Sequence, residues 1–116
     1  MQYLLLIYTS EAAVGALNPD AMKTMLGEYQ AFTQSIIQSG QFKAGDGLKP
    51  TSTATTVRVR EGKIAVTDGP FAETREQLAG YYLIEAKDLD EAIAIAARIP
   101  GAKLGSIELR PIQVYS

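Results

Sequence analysis

The chain contains no cysteine and no histidine. Without cysteine there is no disulfide, no thiol nucleophile and no cysteine metal site. That absence fits a reducing compartment, and a cytoplasmic location is expected. Without histidine the chain lacks the commonest metal ligand and the side chain that exchanges protons most readily near neutral pH. Acid or base work must then fall to Asp, Glu, Lys or Tyr with a shifted pKa, or to a hydroxyl assisted by one of these. No apolar run approaches the length needed to cross a bilayer. A strand pattern begins almost at once, with no basic leader or cleavage site before it, so no secretory signal is expected. Nor is there a basic run. Arg58, Arg60 and Lys63 surround a hairpin turn, and the net charge is −2. Phosphate binding needs several clustered cations, so nucleic acid is not an expected partner.

What is present is globular. The chain has 116 residues, of which 47% are hydrophobic and 21% charged. No linker or change of composition divides it, so residues 1–116 read as one domain with one core. Gln2 to Tyr8 reads as a strand with Tyr3, Leu5 and Ile7 on one face and Leu4 and Leu6 on the other. Apolar residues on both faces predict cover on both sides. Thr9 to Leu17 reads as a loop of small residues. Asn18-Pro19 is a helix start, with a capping side chain and then proline. Met22, Met25, Leu26, Tyr29, Phe32, Ile36 and Ile37 then recur with helical spacing up to Gly40, placed for a left-handed cap. Gly27 sits in the helix interior, at a cost of about 1 kcal/mol relative to Ala.

Gln41 to Leu48 reads as an irregular strand with a bulge or bend at Gly45-Asp46-Gly47. Lys49-Pro50-Thr51-Ser52 is a turn. Thr55 to Arg60 and Lys63 to Thr67 alternate around Glu61-Gly62, a two-residue hairpin turn. Asp68-Gly69-Pro70 stops the second of these strands, because proline cannot donate to a ladder. Leu78 to Ala86 is again apolar on both faces. Asp88 with Glu91 forms a capping-box arrangement before a helix over Leu89 to Ile99, with Leu89, Ala92, Ile93, Ala96 and Ala97 inward. Gly105 to Arg110 is a last strand, with Ile107 and Leu109 inward and Pro111 marking an edge.

The order β-α-β, hairpin, β-α-β predicts an α+β sandwich of ferredoxin-like topology with both helices on one sheet face. The other face would be bare and apolar. A homodimer joined through the sheet faces is the simplest cover.

Asp68 is the first candidate for chemistry. As a structural residue it would brace its turn by accepting a backbone hydrogen bond, with Phe71 dropped into the core. As a catalytic residue it would stand partly desolvated at a cleft rim, act as acid or base, and have Phe71 in the pocket wall. Asp46, between two glycines, is a bulge residue or, beside Asp68, half of a carboxylate pair. Tyr8 and Tyr82 are either satisfied core phenols or ligand contacts. Arg58 is a solvated charge or an anion clamp. Two aspartates are too few ligands for a metal. Gly45-x-Gly47 lacks the helix that a phosphate loop requires. No cofactor is implied.

The stretch Asp68-Gly69-Pro70-Phe71-Ala72-Glu73-Thr74-Arg75-Glu76-Gln77-Leu78-Ala79-Gly80-Tyr81-Tyr82 resembles the signature of the DGPF proteins, a branch of the YCII-related (YciI-like) family. The resemblance extends to Tyr8 in the opening strand, to Gly45-Asp46-Gly47-Leu48 and to the hairpin. It implies a ferredoxin-like domain that dimerises as an α+β barrel. Some relatives use a His–Asp pair, which this chain cannot form; only an aspartate, Asp68, could match. The resemblance also implies an association with extracytoplasmic-function sigma factors. Three functions follow as expectations. One is a cofactor-free enzyme for proton transfer, isomerisation or elimination, with a pocket between sheet and helices. The second is a ligand-binding or regulatory module. The third is a surface-acting partner of a sigma factor.

Overall fold

Strand β1 (Gln2–Thr9) runs through the middle of a four-stranded antiparallel sheet in the computed structural model, which describes residues 1–115. It pairs with β5 (Gln77–Glu85) on one side and β6 (Ser106–Pro111) on the other. β2 (Phe42–Gly47) joins the far side of β5, giving the order β2-β5-β1-β6. A second, two-stranded sheet is the hairpin of β3 (Thr55–Arg60) and β4 (Lys63–Asp68). The topology is α+β and ferredoxin-like, with the hairpin inserted between β2 and β5. No helix among the described residues is long and apolar enough to cross a membrane.

The alternation in β1 sorts the layers. Tyr3, Leu5 and Ile7 are buried against Phe32 and Ile36 of α2 (Pro19–Gln38) and Ala92, Ile95 and Ala96 of α3 (Leu89–Ala97). Leu4, Leu6 and Tyr8 point to the other face, which no helix covers. α2 begins as its sequence predicts. The Asn18 side chain accepts from the Ala21 amide, Pro19 opens the helix, and Gly40 beyond its end takes φ 78°. α3 is capped by Asp88, whose carboxylate accepts from the Glu91 amide.

Several expectations are corrected. Residues 9–17 are not all loop: Glu11–Gly15 form a short helix, α1, capped by the Ser10 side chain. The inward side of α3 is Ala92, Ile95 and Ala96, while Leu89 and Ile93 are exposed. The register shift in β2 falls between Phe42 and Ala44, not at Gly45-Asp46-Gly47. There the glycines serve close approach instead. A Cβ on Gly80 would stand 2.8 Å from the Asp46 carbonyl oxygen, and one on Gly45 would stand 2.7 Å from a Tyr82 ring carbon. Gly27, by contrast, has nothing within 4 Å of where its Cβ would be.

Gly80→Ala is therefore expected to lower stability by about 1–3 kcal/mol through overpacking. Gly27→Ala should raise it by about 0.5–1 kcal/mol by restricting the unfolded chain. Urea unfolding of the two variants checks both signs, and a stabilised Gly80→Ala would show that the strands are not closely apposed.

The Tyr29 hydroxyl accepts the Gly101 N–H at 3.1 Å and ties α2 to the 3₁₀ turn Pro100–Lys103. Burial holds the Tyr29 pKa above its usual 10.0, against the lowering effect of that N–H and with a smaller upward push from Tyr82. A raised phenol pKa means that the neutral form stabilises the fold. Its contribution is whole below pH 10 and is lost as pH climbs through the raised value. Tyr29→Phe is expected to cost about 1–2 kcal/mol at neutral pH, by leaving the Gly101 N–H unpaired. It should also flatten the decline in stability above pH 10. Unfolding curves of both proteins across that range test the sign.

Candidate functional site

The turn Asp68-Gly69-Pro70 is held from the opposite strand. Gly69 (φ 102°, a backbone conformation that favours glycine) donates its N–H to the Ala54 carbonyl at 2.7 Å. Its carbonyl accepts the Thr56 hydroxyl at 2.8 Å. The brace is therefore Thr56 and Ala54, not Asp68. The Asp68 carboxylate is exposed and has no hydrogen-bond partner among the described residues. Phe71 does not drop into the core; it is 82% exposed. With the turn fixed in this way, Pro70, Phe71 and Ala72 stand as one wall of a cleft of about 560 Å³.

The cleft opens on the uncovered sheet face. Its floor carries Tyr8 and Leu78, which are cross-strand partners, and its other walls include Leu48, Lys49, Pro50 and the base of the hairpin at Thr55 and Thr56. No residue of α1, α2 or α3 lines it. The pocket is thus not between sheet and helices, as the sequence suggested. That space is filled by Leu5, Ile36, Ile84 and Ile99, all fully buried. The lining is mainly apolar, with hydroxyl-bearing residues Tyr8, Thr51, Thr53, Thr55, Thr56 and Thr74, the amide of Gln77 and, among the described residues, one charged side chain, Lys49. A cleft of this size and character suits a small organic molecule.

A frame of polar contacts sets the walls. The Glu11 carboxylate accepts the Thr51 N–H at 2.8 Å and the Thr51 hydroxyl at 2.6 Å. The Glu11 N–H donates to Gln77 Oε1 at 2.8 Å, and Gln77 Nε2 donates to the Thr74 carbonyl at 2.6 Å. The Ser106 hydroxyl reaches Glu76 at 2.9 Å. α1 thereby links the turn at Thr51, the loop after Phe71 and the start of β5. These residues escaped sequence reasoning because α1 was read as a loop. The signal was Ser10 followed by Glu11, a cap with an acidic first turn.

Of the residues singled out from the sequence, Tyr8 and Phe71 meet in the cleft. Asp68 lies beside it, opposite Thr55 and two residues before Pro70. Arg58 is half-buried opposite Ala65 on the hairpin and does not line the cleft. Tyr82 faces the helices, on the other side of the sheet from Tyr8. Its hydroxyl shares a 2.7 Å hydrogen bond with Thr33, and its ring packs edge-on against Phe32 at 5.2 Å. Asp46 bonds to Tyr81, its cross-strand partner, rather than to Asp68: the Tyr81 phenol donates to Oδ2 at 2.7 Å. That hydrogen bond, with the carboxylate's charge, raises the Tyr81 pKa above its usual 10.0. Tyr81 was not a sequence candidate. Strand alternation alone puts it on the open face, opposite to Tyr82.

Sheet, hairpin and one-sided cleft define a small α+β protein of ferredoxin-like topology. A profile of the YCII-related domain matches residues 1–116, and the chain belongs to that family. It is 36% identical over 117 residues to an uncharacterised protein of Rhizobium meliloti (strain 1021), covering 99% of this chain and 94% of that one. Among solved structures it is similar to 5-chloro-2-hydroxyhydroquinone dehydrochlorinase from Burkholderia phenoliruptrix AC1100, in complex with 2,5-dihydroxybenzoquinone. The TM-score is 0.57 at 10% identity, over 97% of this chain and 94% of that one. That likeness shows a shared fold.

Glu11→Ala removes two bonds to a charged acceptor and is expected to cost about 1.5–3 kcal/mol. Hydrogen exchange should quicken at residues 51–54 and 71–77 while the β1–β5 amides stay protected. Uniformly faster exchange would mean that Glu11 supports the whole fold rather than the cleft frame.

Proposed function

We propose that the cleft binds a small organic molecule bearing an anionic or phenolic oxygen. The observation that carries this is the lining itself: an apolar slot edged with hydroxyls and provided with a single cation, Lys49. Flat rings suit the space between Phe71 and the Tyr8–Leu78 floor. The dihydroxybenzoquinone held by the structural neighbour supports a small oxygenated ring as the class to try first. In the enzyme reading the reaction is cofactor-free proton transfer, isomerisation or elimination. Asp68 serves as acid or base for a ligand at the mouth, beside Pro70. The second reading is binding without turnover, in a ligand sensor or regulatory module. It is favoured by a cleft lining that, among the described residues, includes no carboxylate. In both readings the protein works as a homodimer joined through the open sheet faces, with Leu4 and Leu6 near the centre of the contact.

A thermal-shift panel of small phenols, hydroxyquinones and aromatic acids tests the binding. A ligand raises the melting temperature by mass action. Lys49→Ala should weaken an anionic ligand about tenfold, a loss of roughly 1.4 kcal/mol. If Lys49→Ala binds as tightly as the wild type, the cation has no part in the site. Asp68→Asn should leave stability within about 0.5 kcal/mol, because the side chain is exposed and unpaired. Loss of turnover with retained binding supports the enzyme reading, and unchanged turnover removes Asp68 from it.

A further inference from the structure

We propose that the β3–β4 hairpin is an intersubunit arm. Its apolar side packs on a second copy of this chain, and that contact holds the hairpin-side wall of the cleft in place. The inference rests on the homodimer proposed above and goes beyond it by assigning a second contact surface, separate from the sheet face.

Val57 pairs with Val66 and Val59 with Ile64, so the four side chains share one face of the hairpin. They are 59%, 61%, 59% and 74% exposed, respectively. Exposures this high leave the face largely open to solvent among the described residues. A two-stranded hairpin alone is marginally stable in water, and needs a third strand or a packing surface to hold its shape. The arm also stretches the molecule. The Cα radius of gyration is 16.2 Å, against about 13 Å for a compact chain of this length. The accessible surface is 8117 Å², where a folded monomer of 12.5 kDa shows about 6200 Å². The surplus, roughly 1900 Å², is more than one partner contributes to an ordinary stable interface, and doubled over two copies, about 3800 Å², it falls in the range of an obligate homodimer.

Charge points to the same occupant. Around the arm tip, Arg58, Arg60 and Lys63 against Glu61 leave +2, so the remainder of this −2 chain carries −4. A cationic arm tip on one copy therefore meets an acidic body on the other. The arm and the cleft are continuous. Thr55 and Thr56 begin β3 and line the cleft, and Thr56 holds Gly69 of the opposite wall. An arm pinned on a partner fixes this wall. An arm free in water leaves it loose.

The test is the double variant Val59→Lys/Ile64→Lys, which puts like charges on a pair already exposed to solvent. Sedimentation velocity over a concentration series reads the assembly, circular dichroism the fold, and hydrogen exchange the hairpin. The wild type is expected to be a dimer. The variant should show a dimer dissociation constant raised about a hundredfold or more, an unchanged dichroism spectrum, and faster exchange at residues 54–69. Val57→Ser/Val66→Ser removes apolar surface without adding charge. It should weaken the dimer in the same direction, and it carries the test if the lysine variant misfolds. A wild-type dimer with both variants equally dimeric overturns the arm and leaves the sheet-face dimer standing. A wild type that is monomeric at every concentration overturns both.

Discussion

From Tyr3 to Tyr8 every residue of β1 is aliphatic or aromatic, so both faces of the strand are apolar. Tyr3, Leu5 and Ile7 meet the helices, while Leu4, Leu6 and Tyr8 meet none. A strand with both faces apolar lowers its free energy only when both faces leave water. Two helices satisfy one side, through a core in which Leu5, Ile36, Ile84 and Ile99 have no accessible surface. The other side stays open, and the Tyr8–Leu78 cleft floor, the Asp46–Tyr81 pair and the root of the hairpin lie there. The same burial that makes the helix side stable excludes a ligand from it. A pocket between sheet and helices would need space that the core already fills.

The cleft depends on restraints that are mostly polar and remote in sequence. Glu11 reaches Thr51, its own amide reaches Gln77, and Thr56 reaches Gly69. Each joins segments far apart along the chain: α1 to the turn at Thr51 and to the start of β5, and β3 to the turn that follows β4. Loops of this kind hold their shape only when their backbone groups find partners. The Asp68-Gly69-Pro70-Phe71 stretch illustrates the consequence. Its rigid turn does not bury Phe71; it holds that ring out in solvent at the cleft wall. The chain belongs to the YCII-related family and shares only its fold with a dehydrochlorinase at 10% identity; one fold hosts different functions according to the loops it carries.

Close backbone approach is the other constraint. Gly45 lies opposite Tyr82, and Gly80 opposite Gly47, so β2 and β5 come together where a Cβ on Gly45 or Gly80 would collide with a neighbour. This closeness brings the Tyr81 phenol to Asp46 on the open face while Tyr82, one residue on, is sealed among Phe32, Phe42 and Thr33. Two adjacent tyrosines thus have opposite fates. Only the pleat of β5 separates a core phenol from one available to the open face.

Periodicity and turn chemistry were enough to determine the element order, the ferredoxin-like topology, the two faces of β1 and the start of α2 at Asn18-Pro19, because those signals are local and repeat along the chain. α1 was hidden, being too short for a periodic signal, and the inward side of α3 was misjudged because an alanine-rich helix looks apolar all round. The positions of Asp68, Arg58, Tyr82 and Asp46 relative to one another were not legible at all. They depend on which strands pair, on a register shift at Phe42/Ala44, and on a hairpin that leaves the body of the molecule. Tertiary structure alone decided that Tyr8 and Phe71 share a cleft and that Tyr82 does not, because hydrogen bonds between distant segments, not the spacing of residues along the chain, set the distance between those side chains.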